Sequence, residues 1–162
     1  MNNLEFFGAS FNQEIGAIKR VLEVLPESSL DYKPHERSRS ARELAWVIAS
    51  EMHGIAGILE HGDLVEHGHP APATKAEILK HFEDGVAKVS SNLSQATTER
   101  WNTPGKFVVM GNTVATMPSQ NLAWLMHNDL IHHRGQLSVY LRPMGAKVPS
   151  IYGPSGDDNG GN

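Results

Sequence analysis

The sequence of 162 residues contains no cysteine, which excludes disulfide bonds and metal sites built on thiolates. It also lacks any apolar run close to the roughly 18 residues that a membrane span needs. The N-terminus has neither the basic nor the apolar part of a signal peptide. We therefore expect a cytoplasmic protein without membrane contact, in which any metal ion is held by nitrogen and oxygen ligands.

A strongly basic stretch is missing as well, because 18 Asp and Glu outweigh 14 Lys and Arg and give a formal net charge of −4. The one basic cluster consists of Arg37, Arg39 and Arg42 and is diluted by Glu36 and Glu43. We interpret it as a solvated face. No nucleic-acid partner is expected.

Apolar residues make up 40% of the chain and charged residues 20%, enough apolar material for one core in one domain. Four segments carry apolar residues at helical spacing. They run from Leu4 to Leu25, from Ser40 to Gly62, from Thr74 to just before Trp101, and from about Pro118 to about Arg142. Capping boxes, a Ser or Thr followed three residues later by Glu, open the second and third helices.

This pattern predicts an all-α protein, a four-helix bundle with long crossover connections. Residues 1–145 form the predicted bundle, and residues 146–162 a C-terminal tail that is partly mobile. The segment 102–117 is rich in turn formers and β-branched residues. It is interpreted as an irregular crossover that leaves room for a short extended piece.

The fourth helix carries Asp129 and His133, four residues apart and therefore one turn apart on nearly the same face. A carboxylate beside an imidazole is a good chelating pair for a divalent metal. The alternative is a surface pair worth a few tenths of a kcal/mol. Leucines along this helix indicate packing, and Gly135 within it is typical of a close approach.

A third ligand must come from another helix. Glu51 follows Val47 by four residues and so lies near the apolar face of the second helix. His53 lies about 160° away from Glu51, so both cannot serve one site. A buried carboxylate needs a partner, which a metal or an arginine would provide. Glu51 is the preferred ligand and His53 the less favoured alternative.

The run HHRGQLSVYLRPMGAKVPSIYGPS, together with DYKPHERSRSARELAW, resembles the DinB/YfiT-like superfamily of metal-dependent bundle proteins. The resemblance implies four-helix bundles that often dimerise and hold a divalent metal through three side chains. It also implies ligands at His133 and at the residue four before it, where Asp129 replaces the usual His. The usual His of the second helix falls at Val47, so the site is either shifted one turn to Glu51 or lost.

The triad Glu51, Asp129 and His133 would have a charge near −2 and would suit Zn, Ni, Fe or Mn. Four neighbours are candidates for a supporting shell or a pocket wall: His132, Gln136, Tyr140 and Arg134. Arg134 is expected to pair with a carboxylate of the first or second helix. His132 is expected to cap a helix or a backbone carbonyl.

Two functions follow. The first is a metal-dependent hydrolase or low-molecular-weight-thiol transferase acting on a small molecule, as a homodimer. The second is a non-catalytic dimeric bundle with a degraded metal site, which binds a small molecule or a protein partner and in which an arginine neutralises Glu51. A weaker third idea is a closed structural metal site joined by His132 or His53.

Overall fold

A computed structural model, which describes residues 1–160, is built on four long helices, as the sequence predicts. These are α1 (Asn3–Glu23), α2 (Ala41–His61), α3 (Lys75–Leu93) and α5 (Ser119–Leu141). A short helix, α4 (Thr98–Asn102), and three strands, β1 (Leu64–Glu66), β2 (Pro104–Val109) and β3 (Asn112–Pro118), lie in the crossovers. No helix in the described part is long and apolar enough to cross a membrane.

The helix starts follow the sequence signals. The side chains of Ser40 and Thr74 accept the backbone N–H three residues on, and the Glu at that position bonds back, so both predicted capping boxes are present. Asn2 forms a third box, at the start of α1. The second helix ends at Gly62, whose φ of 90° is a backbone conformation that favours glycine.

The third helix ends earlier than predicted, at Leu93 rather than just before Trp101. The chain restarts as α4 because the Thr97 side chain accepts from the backbone N–H of Arg100 and caps a new helix. This short helix buries Trp101 against Phe7 of α1. The break between α3 and α4 therefore allows Trp101 to pack against α1.

The crossover predicted as irregular is a β-hairpin. Strands β2 and β3 pair antiparallel, and β1 pairs parallel with β2. Met110 and Gly111 form a two-residue turn, both with positive φ (49° and 82°), as such hairpins require. Methionine is an unusual residue there, so this turn has no clear signal in the sequence. The hairpin holds β1, and with it Glu66, beside the bundle.

The core lies where α2 packs against α3 and α5. Large side chains from every long helix are fully buried there; among them are Phe7, Phe11, Ile18, Leu22, Ile48, Met52, Ile55, Phe82, Leu122 and Leu137. Burial of each such side chain stabilises the fold by about 1.5–3 kcal/mol. Helix α2 is covered on both sides, so any polar group on it that faces inward needs a partner.

The expectation that Gly135 marks close packing is wrong. A Cβ added at Gly135 would meet nothing within 4 Å, whereas one added at Gly105 would lie 1.9 Å from the Gly62 carbonyl oxygen. Gly135 therefore lowers the stability of α5, and no close packing contact compensates for this.

Gly135→Ala is expected to raise the free energy of unfolding by about 0.5–1 kcal/mol, because alanine loses less backbone entropy in a helix. Gly105→Ala should lower it by about 1–3 kcal/mol, since the hairpin must move away from Gly62. Urea unfolding of both variants checks the pair of effects. A destabilised Gly135→Ala protein would contradict the open surroundings seen at this position.

The tail packs back onto the bundle. The Arg20 side chain donates to the Ser150 carbonyl oxygen at 3.1 Å, and Arg142 pairs with Asp157 at 2.9 Å. The domain boundary at residue 145 stays a prediction. The predicted mobility of the last residues falls partly on 161 and 162, which lie outside the described residues.

Candidate metal centre

A cavity of about 1100 Å³ opens between α2, α3, α5 and the β1 segment. Its wall includes Glu51, Asp129 and His133, all three of the predicted ligands. A smaller hollow of about 450 Å³, beside Thr97 and Arg100, contains none of them. The larger cavity is therefore the candidate site.

The three predicted ligands converge in this cavity. One donor atom from each of Glu51, Asp129 and His133 lies within 4.8 Å of the other two. His133 Nδ1 is 2.8 Å from a Glu51 carboxylate oxygen and 3.7 Å from an Asp129 oxygen. Glu51 and His133 are each 7% exposed, whereas the Asp129 side chain is 41% exposed and faces the opening. The triad thus has a buried end and an accessible end.

The electrostatics of the triad favour neutral forms of its buried members. Burial, reinforced by the negative charge of Asp129, raises the pKa of Glu51 to about 10. Burial also lowers the pKa of His133, although Asp129 opposes this shift. At neutral pH the 2.8 Å contact between them is therefore a hydrogen bond between a protonated carboxyl and a neutral imidazole, not an ion pair.

The residues present fit a divalent cation. The second Glu51 oxygen, Oε2, is buried and has no hydrogen-bond partner among the described residues, which is unfavourable unless something else binds it. Ligands of a tetrahedral zinc lie about 3.4 Å apart, given bond lengths near 2.1 Å. Three donor atoms within 4.8 Å are thus close to that spacing. Two carboxylates and an imidazole suit a borderline or hard cation.

Val47 lines the same cavity, one helical turn before Glu51. The second-helix position that the family resemblance assigns to a ligand therefore faces the site but carries an isopropyl group. Glu51 presents its carboxyl to the same space from the next turn. No arginine forms a salt bridge with Glu51 within residues 1–160; its partner is His133. The neutralising arginine of the alternative hypothesis is absent there.

The four residues predicted to support the site lie elsewhere, and none is among the described residues that line the cavity. His132 and Gln136 hydrogen-bond to each other on the exposed face of α5. Tyr140 packs against Tyr32 and donates to the Arg39 carbonyl oxygen. Because successive helical residues turn by about 100°, His132 and Arg134 point away from the face of His133. Tyr140 lies near that face but two turns further along α5, beyond the residues that line the cavity.

Arg134 is buried on the side of α5 that faces α1, away from the cavity. As predicted, it pairs with a carboxylate of the first helix, that of Glu14. Tyr152 of the tail donates to Glu14 at 2.7 Å and accepts from Arg134 at 2.9 Å. This buried network joins α1, α5 and the tail. It serves the fold rather than the triad.

His53 lines the cavity but does not join the triad. Its Nε2 donates to the His81 carbonyl oxygen at 2.9 Å, and the two imidazoles stack with centroids 3.9 Å apart. Trp46 stacks on the other face of His81 at 4.3 Å. Burial and the nearby His53 lower the pKa of His81 to about 4, so this ring is neutral at pH 7. The three stacked rings form part of the cavity wall.

Two charged residues near the triad, Glu66 and Arg39, are among the cavity residues that were not predicted from the sequence. Glu66, on β1, lines the cavity near Asp129, and burial together with the Asp129 charge raises its pKa. Arg39 is exposed, in keeping with its interpretation as part of a solvated face, and it also lines the cavity. Nothing in the local sequence separates Arg39 from Arg37, and the strand that positions Glu66 had no clear signal.

The chain is similar to a known protein family and to two proteins of Bacillus subtilis. A family model described as the DinB family matches residues 1–159. The uncharacterized protein YrdA of Bacillus subtilis strain 168 is 26% identical over 159 residues, which cover 96% of this chain and 91% of YrdA. YjoA of the same strain is 28% identical over 124 residues, 76% of this chain and 79% of YjoA.

Solved structures share the fold. A DinB-like protein from Bacillus cereus ATCC 10987 superposes with a TM-score of 0.74 at 22% identity, covering 91% of this chain and 97% of that one. The mycothiol-dependent maleylpyruvate isomerase superposes with a TM-score of 0.62 at 11% identity, over 85% of this chain and 61% of the isomerase. At these identities the likeness concerns the fold alone.

Proposed function

The chain belongs to the DinB family, and on that premise we propose that it is a metal-dependent enzyme in which Glu51, Asp129 and His133 hold one divalent cation. The observation that carries the proposal is the convergence of their three donor atoms within 4.8 Å, with one buried Glu51 oxygen unpartnered. Zn, Ni, Fe and Mn are all compatible with this ligand set.

Each residue of the triad has its own task. Glu51 must lose the proton that burial makes it hold, because only a carboxylate binds metal. His133 is held neutral by its burial and therefore offers a free nitrogen lone pair without losing a proton first. Asp129, at the open end, completes the set where a small molecule enters. A cation bound here would lower the pKa of a coordinated water or thiol and so supply a nucleophile at neutral pH.

Of the two chemistries, transfer of a low-molecular-weight thiol to a small electrophile is the better supported. The chain has no cysteine, so sulfur chemistry would need a thiol as co-substrate. A protein of the same fold is named as mycothiol-dependent. The cavity of about 1100 Å³ is large enough for two small substrates. The homodimer and the identity of the small molecule stay predictions.

The protein as purified is expected to contain about one divalent cation per chain. Removing it with a chelator should lower the melting temperature by about 5–10 °C, since ligand at 100 times its Kd stabilises by about 2.7 kcal/mol. Elemental analysis and melting curves before and after chelation check this. Loss of free thiol in the presence of a small electrophile then separates a transferase from a hydrolase, which consumes none.

The competing function is a metal-free bundle that binds a small molecule or a partner. It is favoured by Val47 at the family's usual ligand position and by the hydrogen bond that already joins Glu51 to His133. Under it, the purified protein contains no stoichiometric metal, and chelation leaves the melting temperature unchanged.

A further inference from the structure

The guanidinium of Arg39 is set apart from the neighbouring basic residues. Arg42 is paired with Asp31, and Arg37, although exposed like Arg39, does not line the cavity. The side chain of Arg39 lines the cavity and forms no hydrogen bond or salt bridge with any residue of the described part of the chain. A cation in a cleft without a protein partner is available for a ligand.

The backbone at Arg39 is well held. Arg39 immediately precedes Ser40, the N-cap of α2, and its carbonyl oxygen accepts a hydrogen bond from the Tyr140 hydroxyl at 3.3 Å. The start of α2 is thereby tied to the end of α5. The long side chain therefore extends from a fixed point toward the same space as the triad.

The cavity is otherwise predominantly acidic. Carboxylates outnumber fixed cations in its wall, which contains Glu51, Glu60, Asp63, Glu66 and Asp129 against Arg39 and Lys88. Once a divalent cation offsets the two carboxylates of the triad, the triad no longer attracts the guanidinium of Arg39, which forms no ion pair with the other carboxylates of the wall.

We propose that Arg39 selects an anionic substrate: it binds the carboxylate of a small molecule whose other end, a thiol, reaches the triad. This inference rests on the proposed metal function and adds the substrate class. A guanidinium binds a carboxylate through charge-assisted hydrogen bonds and can do so with two at once. Arg39 is a specificity-determining residue in this scheme, not a metal ligand.

The test uses protein loaded with Co²⁺, whose visible absorption reports ligands that bind the metal. Mercaptoacetate and 2-mercaptoethanol serve as probes, because they share a thiol and differ in a carboxylate. We expect the preference for mercaptoacetate, measured as the ratio of the two Kd values, to fall about tenfold in Arg39→Gln. The Kd for 2-mercaptoethanol should stay within about twofold of the wild type.

Arg37→Gln is the matched control, since it removes the same charge two residues away without touching the cavity, and it should keep the wild-type ratio. An unchanged ratio in Arg39→Gln, with normal cobalt binding, would overturn the role of Arg39 alone. Equal loss in both variants would also overturn it, by revealing an effect of net charge. Absence of a cobalt spectrum in every protein would overturn the proposed metal function, and this proposal with it.

Discussion

His133→Ala is expected to weaken divalent-metal binding by at least about 100-fold and to leave the purified protein without stoichiometric metal. The imidazole is the only nitrogen donor of the triad. Even residues that merely orient a ligand change affinity by about 10–100-fold, so a direct ligand should matter at least as much. Asp129→Ala is expected to act in the same direction. Titration with Zn²⁺ against a competing chelator measures the effect.

His132→Ala is the control that the chain itself offers. The two histidines are adjacent, yet His132 is exposed and bonded to Gln136, whereas His133 is buried against Glu51. The His132 variant should bind metal as the wild type does. Equal losses of affinity in the two variants would mean that metal binding depends on general histidine content or on helix stability, not on the triad.

Glu51→Gln is expected to abolish stoichiometric metal and, at the same time, to stabilise the metal-free protein. The folded-state pKa of Glu51 lies at about 10, against 4.5 for the unfolded chain. Between these values the unfolded chain releases a proton that the folded chain keeps. Stability is therefore lost as pH rises above the unfolded pKa. Glutamine cannot ionise and keeps a hydrogen-bonding group toward His133.

The gain should be about 1–3 kcal/mol at pH 7 and should vanish near pH 4, where Glu51 is protonated in both states. Urea unfolding of chelated wild type and variant at several pH values gives this difference directly. His133 also titrates differently in the two states, but it is present in both proteins. A variant that is less stable than the metal-free wild type at pH 7 would contradict the unfavourable burial of Glu51.

Glu14→Gln is expected to lower the free energy of unfolding, in contrast to Glu51→Gln. Glu14 is as buried as Glu51, but it is paired with Arg134 and bonded by Tyr152. Its neutralisation leaves a buried guanidinium without a counter-charge, which typically costs about 3–5 kcal/mol. The same substitution should thus stabilise the metal-free protein at one position and destabilise it at the other, because only one of the two carboxylates has a cationic partner.

The four long helices could be predicted from the sequence, and so could the grouping of three candidate ligands in one site. Capping boxes at Ser40 and Thr74 and apolar residues at helical spacing are local signals, and the structure follows them. The four-residue step from Asp129 to His133 is likewise local. Glu51 was found because a carboxyl on an apolar face needs a partner, an argument that requires only the helical period.

What could not be predicted depends on the tertiary arrangement. Arg39 lines the cavity because α2 begins next to the end of α5. The position of Glu66 in the cavity wall depends on the parallel pairing of β1 with β2. The surroundings of Gly135 and of His53 are likewise decided by neighbouring helices. A supporting shell was sought on the same helix as His133, whereas helical rotation turns His132 and Arg134 to other faces and Tyr140 lies two turns beyond the cavity.

The central claim is that one cation is shared by Glu51 and His133 in the interior and Asp129 at the opening. Anomalous diffraction from crystals of the Zn²⁺-loaded protein, recorded on both sides of the zinc edge, locates the metal directly. The account predicts one strong peak about 2.0–2.2 Å from donor atoms of all three side chains. A peak bound by His67 and His69, exposed histidines at the rim of the same cavity, and away from all three triad side chains would contradict it.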